Sequence, residues 1–192
     1  MDAATVVFLE NGYVGTTMDG IAARAGVSKP TVYRYFADKE KLFSEIVLGT
    51  IDQVGAPFFA WIDAIDETDD LEGALGDLAH KLVAIVAEPR LLELRRLVIG
   101  ETARFPKLGA IYFERGPGRT VETLASVFER LARRGLLQLP DPHLAAQEFN
   151  WLVLSIPLNR AMFTVDVRFS ATELERYADE AVRVFLAAYA VS

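Results

Sequence analysis

Apolar residues recur along this chain at the three-and-four spacing of one buried helix face, and no alternating in-out pattern of a half-buried strand interrupts them. The pattern predicts an all-α protein. Near the front, Met18, Ile21, Ala22 and Ala25 make one such face, with Thr16 or Thr17 placed to cap the helix. Gly26 is placed to end it in the left-handed conformation, and Val27 can then tuck back over the last turn. Ser28 opens a second helix, Lys29 to Tyr35, which buries Val32 and Phe36 and turns Lys29, Thr31, Tyr33, Arg34 and Tyr35 outward. Asp38 begins a long third helix that runs toward Ile65. A bend is expected in it at Gly55-Ala56-Pro57, where proline forfeits a backbone hydrogen bond, and this could be a structural bend or a hinge. Downstream the predicted helices are Leu71 to Ala87, Pro89 to Phe105, a short one from Leu108 to Glu114, Gly118 to Arg134, Asp141 to Asp166 and Thr172 to Ala190. Asp69 or Asp70, Pro89, Pro106 and Gly116-Pro117-Gly118 mark their ends.

Two short helices joined by a glycine turn have the layout of a DNA-reading helix-turn-helix, although short amphipathic pairs also occur in all-α proteins of other kinds. The chemistry of the second helix favours DNA. Lysine and arginine supply charge, the threonine hydroxyl and methyl suit bases or phosphates, and tyrosine offers a hydroxyl on a stiff ring. Pro30 sits in the first turn, where a missing N–H costs nothing, and two outward tyrosines would make a poor solvent face.

Charge distribution adds to this picture. The net charge is −7 over 192 residues, which looks wrong for a DNA binder, yet from Arg24 to Lys41 the basic residues Arg24, Lys29, Arg34, Lys39 and Lys41 face only Asp38 and Glu40. Acid gathers elsewhere, in Asp63, Asp66, Glu67, Asp69, Asp70 and Glu72, as a solvated loop or as a patch that repels phosphate and orients the protein. There are no cysteines, so disulfides and thiolate metal sites are excluded. No apolar run approaches a membrane span and the front lacks a signal peptide's pattern, so the expected setting is the cytoplasm, with no membrane partner. His80 and His143 lie on separate helices without metal-ligand spacing, and no nucleophile elbow, phosphate loop or dinucleotide fingerprint occurs. Neither an enzyme nor a cofactor or metal is expected.

From Ala3 to Ile46 the chain resembles the TetR-type bacterial transcriptional regulators, through Phe8, Gly12, Tyr13, Thr17, Ile21, Ala22, Ala25, Gly26, Val27, Ser28, Tyr33, Tyr35, Phe36, Lys39, Glu40 and Leu42. The resemblance implies a homodimer whose second motif helices enter major grooves of a double-stranded operator, while a larger helical domain binds a small-molecule effector. It divides the chain into a DNA-binding domain at 1–46 and an effector-binding and dimerisation domain at 47–192. By motif position Thr17, Lys29, Thr31, Tyr33, Tyr35 and Lys39 are the DNA contacts, joined by Pro30 and Arg34, with Ser28 as the helix cap. Pro30 stands where the family often has a smaller residue. Family members also carry a basic segment and about one further helical turn ahead of Met1, so a late start codon, trimming and natural shortening are all open. The segment LRRLVIGETARFPKLGAIYFERGP resembles the C-terminal domains of the AefR-like subgroup.

Two further surfaces are expected in the larger domain. The last helix carries a stripe of Leu174, Tyr177, Ala178, Ala181, Val182 and Phe185 whose alanines would let another helix approach, and the preceding helix, with Trp151, is more apolar than one face requires. These are the expected dimer surface. Phe59, Phe105, Tyr112, Phe113, Trp151 and Phe163 are the candidate lining of an effector pocket, and Arg95, Arg104, Asn150, Asn159 and Arg160 could orient a polar group there. The reading is a ligand-responsive regulator, a repressor that grips a palindromic operator and is released by a small, mainly apolar effector. The alternative is a small-molecule binding or sequestering protein whose truncated head holds DNA weakly.

Overall fold

The computed structural model describes residues 2–63, 65 and 69–191. Asp66 and Glu67 of the acidic stretch lie outside the described residues, and Asp63 is described in its backbone alone. The chain divides into two compact units, Met1–Gln53 with Glu93–Gly116, and Val54–Leu92 with Pro117–Ser192.

The first unit holds α1 (Asp2–Gly15), α2 (Met18–Ala25), α3 (Lys29–Tyr35), the front of α4 (Lys39–Asp63), the end of α6 (Pro89–Glu101) and α7 (Pro106–Phe113). α1 is broken at Gly12, whose φ of 66° and ψ of 178° leave the helical region and suit glycine. Buried Thr16 secures the break by donating to the Gly12 carbonyl at 2.7 Å. The core is aromatic: Phe8 and Tyr13 lie 5.1 and 5.2 Å from Phe43, and Tyr13 meets Phe105 edge-on at 4.6 Å. Leu94, Val98 and Leu108 belong to the same core, which is why this unit is larger than the segment 1–46.

The second unit holds the rest of α4, then α5 (Leu71–Val86), α8 (Arg119–Arg133), α9 (Pro142–Phe163) and α10 (Ala171–Tyr189). α8 and α10 both pack on α9, and α10 also packs along α5. Phe128, Phe149 and Phe185 are fully buried at mutual ring distances of 5.0 to 5.6 Å. Removing one such ring costs about 3–5 kcal/mol, the lost transfer energy plus that of the cavity left behind. Local chemistry sets the helix starts: Asp70 accepts from Gly73 N–H at 2.9 Å, Asp141 from His143 and Leu144 N–H, and Ser170 from Glu173 N–H at 3.2 Å.

α4 runs as one helix with Pro57 inside it, as the long third helix was expected to. One local expectation changes. Gly116-Pro117-Gly118, expected to separate two helices, instead closes a π-helical turn, Glu114–Gly118, between α7 and α8. The wider turn accommodates a proline that has no N–H to donate.

The α10 stripe is also placed differently. Ala178, Ala181, Val182 and Phe185 are buried in their own unit, with Leu174 packed against that core and Tyr177 half-buried. The small side chains of Ala178 and Ala181 let α10 settle on α5 and α9, so the buried part of the stripe is used within its own unit, while Leu174 and Tyr177 keep some open surface. The exposed apolar face lies on α9, where Leu144, Trp151, Leu152, Ile156 and Phe163 are open to solvent.

Candidate nucleic-acid interface

The turn between α2 and α3 is held almost entirely by backbone. Gly26 adopts φ 66° and ψ 26°, its N–H meets the Ala23 carbonyl at 3.2 Å, and Val27 N–H reaches back to Ala22 at 3.1 Å. Ser28 then caps α3, its hydroxyl oxygen accepting from Thr31 N–H at 3.3 Å. Val32 is the buried residue of α3, and Phe36 packs against the core just beyond it. These two anchors fix which face of a seven-residue helix points outward.

On that face Tyr33 is 44% exposed and Tyr35 69%, and Pro30 and Arg34 are exposed beside them. Arg34 donates to the Tyr35 hydroxyl at 3.3 Å with its guanidinium 5.0 Å from that ring. Thr31 is half-buried, with its hydroxyl 2.8 Å from that of Ser28. Thr17, exposed at the start of α2, accepts from Gly20 N–H at 3.0 Å and is therefore the cap, while Thr16 is spent on α1.

The two lysines have partners that spacing does not reveal. Lys29 places its ammonium 2.8 Å from one carboxylate oxygen of Asp19 and 3.0 Å from the other, and the hydrogen bond to Asp19 holds its pKa above the ordinary lysine value. Lys39 donates to the carbonyls of Thr16 at 2.7 Å and Tyr13 at 2.8 Å, and sits 4.4 Å from the Tyr13 ring centroid. Beside its expected place at a phosphate, the cation thus satisfies carbonyls left open at the end of α1 and ties α4 to them.

The six candidate effector residues do not share one cavity. Phe105 and Tyr112 belong to the first unit's core and Phe113 is exposed on α7, whereas Phe59 is buried in the second unit. Trp151 and Phe163 are 51% and 85% exposed. His80 and His143 pair instead with Asp179 at 2.7 Å and Glu122 at 3.1 Å, on solvent-facing helix surfaces.

Comparison with known proteins bears directly on this geometry. Residues 73–191 match the family model described as the AefR-like transcriptional repressor C-terminal domain, and residues 1–46 match that of the bacterial regulatory proteins of the tetR family. The chain belongs to the TetR family. A Mesorhizobium loti MAFF303099 structure described as a TetR-family transcriptional regulator is 46% identical, covering 99% of this chain and 94% of that one at a TM-score of 0.93. The flavonoid-responsive regulator FrrA is 28% identical over 98% of this chain and 94% of its own, with a TM-score of 0.76. A regulator from Bacillus subtilis strain 168, YhgD, is 50% identical over 46 residues, 24% of either chain, so the match spans about a quarter of that curated relative. These relatives are transcriptional regulators, and the helix-turn-helix of this TetR-family chain is its DNA-binding motif. Among the described residues no helix is long and apolar enough to cross a membrane.

Sequence reasoning missed Asp19 as a working part of this head. The signal was available only in part: an acid in the first turn of α2 is a common helix feature, and its reach to Lys29 depends on the angle that Gly26 imposes.

Proposed function

We propose that this TetR-family chain is a repressor that binds a near-palindromic operator as a homodimer, each subunit placing α3 in a major groove, and that a small, mainly apolar effector releases it. The observation that carries the reading is the outward face of α3, where Tyr33, Arg34 and Tyr35 stand exposed on a helix anchored only by Val32 and the following Phe36. Tyrosine hydroxyls and a planar guanidinium read base edges and phosphates, and Lys29 adds charge at the helix start. Thr17, Pro30 and Thr31 border the same surface.

Dimerisation through α9 is supported by its exposed row of Leu144, Trp151, Leu152, Ile156 and Phe163, too much apolar surface to leave in water. A two-fold axis beside α9 would lay this row against its own copy and set the spacing of the two α3 helices. The apolar effector is supported by the aliphatic and aromatic interior of the second unit, and by the flavonoid response named for FrrA. An effector that prefers the released conformation by about 100-fold per dimer supplies about 2.7 kcal/mol of linkage, enough to empty a marginally occupied operator. Work on DNA in a bacterial cell places the protein in the cytoplasm.

The test is binding to a random duplex pool across a salt series, with sequencing of the retained fraction. An enriched inverted repeat whose half-sites lie on one face of the duplex supports the reading. No enrichment at low salt from a folded dimer overturns it in favour of a ligand-sequestering protein.

A further inference from the structure

The first unit draws its positive charge from two distant parts of the chain. Met1–Gln53 holds five basic and seven acidic residues and is net −2 by itself, a poor balance for a surface that meets phosphates. Glu93–Gly116 holds five basic residues against three acidic ones, net +2. Half of the unit's cations therefore arrive with a segment that lies outside the helix-turn-helix.

Phe105 fixes that segment on the head, its ring edge-on to Tyr13 at 4.6 Å and 6.1 Å from Phe43. Arg104, one residue earlier, holds its guanidinium 5.6 Å from the Tyr13 ring centroid, and Lys39 Nζ lies 4.4 Å from the same centroid. The two cationic centres are thus separated by at most the sum of those distances, 10.0 Å. Lys39 donates to the carbonyl of Thr16, and Thr17, next in the chain, is the exposed cap of α2. Arg104 accordingly stands beside Lys39 and the start of α2, at the end of the head where backbone contacts are expected. Its side chain is 51% exposed, and its ion pair with Glu101 is a long one, made by Nη1 at 3.5 Å. An exposed pair of that kind contributes little and yields readily to a phosphate. Lys107 follows three residues on, exposed in the first turn of α7.

We propose that Arg104 and Lys107 form a phosphate-binding arm of the DNA-binding head, reaching the duplex backbone outside the stretch that α2 and α3 cover. The partner is the polyanionic backbone of double-stranded DNA. Stacking on Tyr13 limits the conformations of the arginine, and its planar fork can hold one phosphate through two N–H groups, whereas the lysine adds a second point charge. Such contacts position the protein on the duplex and carry no sequence information. The proposal rests on the operator-binding reading and enlarges its footprint beyond the motif.

The probe is a labelled duplex pool of random sequence, titrated with the full chain by fluorescence anisotropy over a salt series that begins low. Arg104→Gln and Lys107→Gln should each lower the slope of log affinity against log salt by about one, and the double variant by about two. Arg104→Lys keeps the charge and should restore the slope. Arg183→Gln, which removes a cation paired with Glu180 on α10, should leave it unchanged. A thermal melt of each protein separates packing from phosphate binding: a lower melting temperature for Arg104→Gln with a wild-type slope makes the arginine a prop for Tyr13 and overturns the proposal. Lys107→Gln, at an exposed position, keeps the test open where Arg104→Gln does not fold, and a wild-type slope in that variant also overturns it. So does an equal fall in Arg183→Gln, which would trace the effect to net charge. Wild type that binds the pool while the variants match its slope defeats the arm alone, whereas wild type that binds no duplex even at low salt defeats the operator reading together with it.

Discussion

Replacing Lys39 with methionine separates an architectural lysine from a phosphate ligand. In the folded head its ammonium meets two carbonyls at 2.7 and 2.8 Å and lies over the Tyr13 ring, while the side chain is only partly exposed. A charged hydrogen bond contributes about 1.5–3 kcal/mol when buried. With two such bonds discounted for partial exposure, and the aliphatic stem kept by methionine, the loss should be about 2 kcal/mol. For a chain of this length that lowers the melting temperature by about 4–8 °C if it unfolds as one unit. The companion assay is operator affinity against salt at a temperature where the variant is fully folded. An architectural lysine leaves the slope of log affinity against log salt unchanged, whereas loss of a phosphate contact reduces it by about one. An unchanged melting temperature together with a slope lowered by about one would refute the architectural role.

Lys29→Ala should lower the same salt slope by about one, and Asp19→Asn should steepen it and raise affinity for non-operator duplex at low salt, because the amide no longer competes with phosphate for the lysine. Equal slopes in wild type and Asp19→Asn would count against that competition. Tyr33→Ala should weaken operator binding while sedimentation still reports a dimer. Ile156→Asp should weaken the dimer by about a hundredfold in sedimentation, since two copies at about 1.4 kcal/mol each are lost across a two-fold contact. At alkaline pH, the Tyr13 phenol is held above its ordinary 10.0, first by burial and then by the charge of Glu40. Its folded value lies above the unfolded one, so its contribution is present below pH 10.0 and is lost as pH rises through the raised value. Tyr13→Phe should therefore move alkaline unfolding to higher pH.

Features encoded within a few residues of one another were legible in the sequence. The turn at Gly26, the caps at Ser28 and Asp70, and the outward Tyr33, Arg34 and Tyr35 of α3 follow from local rules, and the structure repeats them. What escaped depended on distant partners. The stripe on α10 signalled burial correctly but could not say against what, and α5, distant in sequence, supplied much of the answer. Phe105 and Tyr112 read as pocket aromatics because nothing local shows that residues 93–116 join the first unit's core. The second set of partners of Lys39, read in the sequence only as a DNA contact, was hidden because the carbonyls it meets belong to Tyr13 and Thr16, more than twenty residues away. The Gly12 break was hidden by the helical pattern on either side of it.

The internal pairing of the head also bears on how an acidic protein can read DNA. Of the five basic residues between Arg24 and Lys41, Arg24 faces Glu10 at 3.6 Å, Lys29 faces Asp19, Lys41 faces Glu45 at 2.8 Å, and Lys39 is committed to carbonyls. Only Arg34 pairs with a neutral hydroxyl and ring instead of a carboxylate or backbone carbonyl. A phosphate approaching Arg24, Lys29 or Lys41 must therefore exchange partners with a carboxylate already in place. Exposed pairs contribute little to folding, so the exchange is cheap for stability, but each displaced carboxylate remains near the backbone and repels it. The net gain from non-specific contact is small, and the overall charge of −7 lowers it further. Discrimination then falls to groups that gain only from the right bases, which on this face are Tyr33, Arg34 and Tyr35. A head built this way should bind random DNA weakly for its fold and its operator selectively, and neutralising Asp19, Glu10 and Glu45 together should raise random-duplex affinity more than operator affinity. If both rise equally, the acids tune strength alone and the selectivity arises elsewhere.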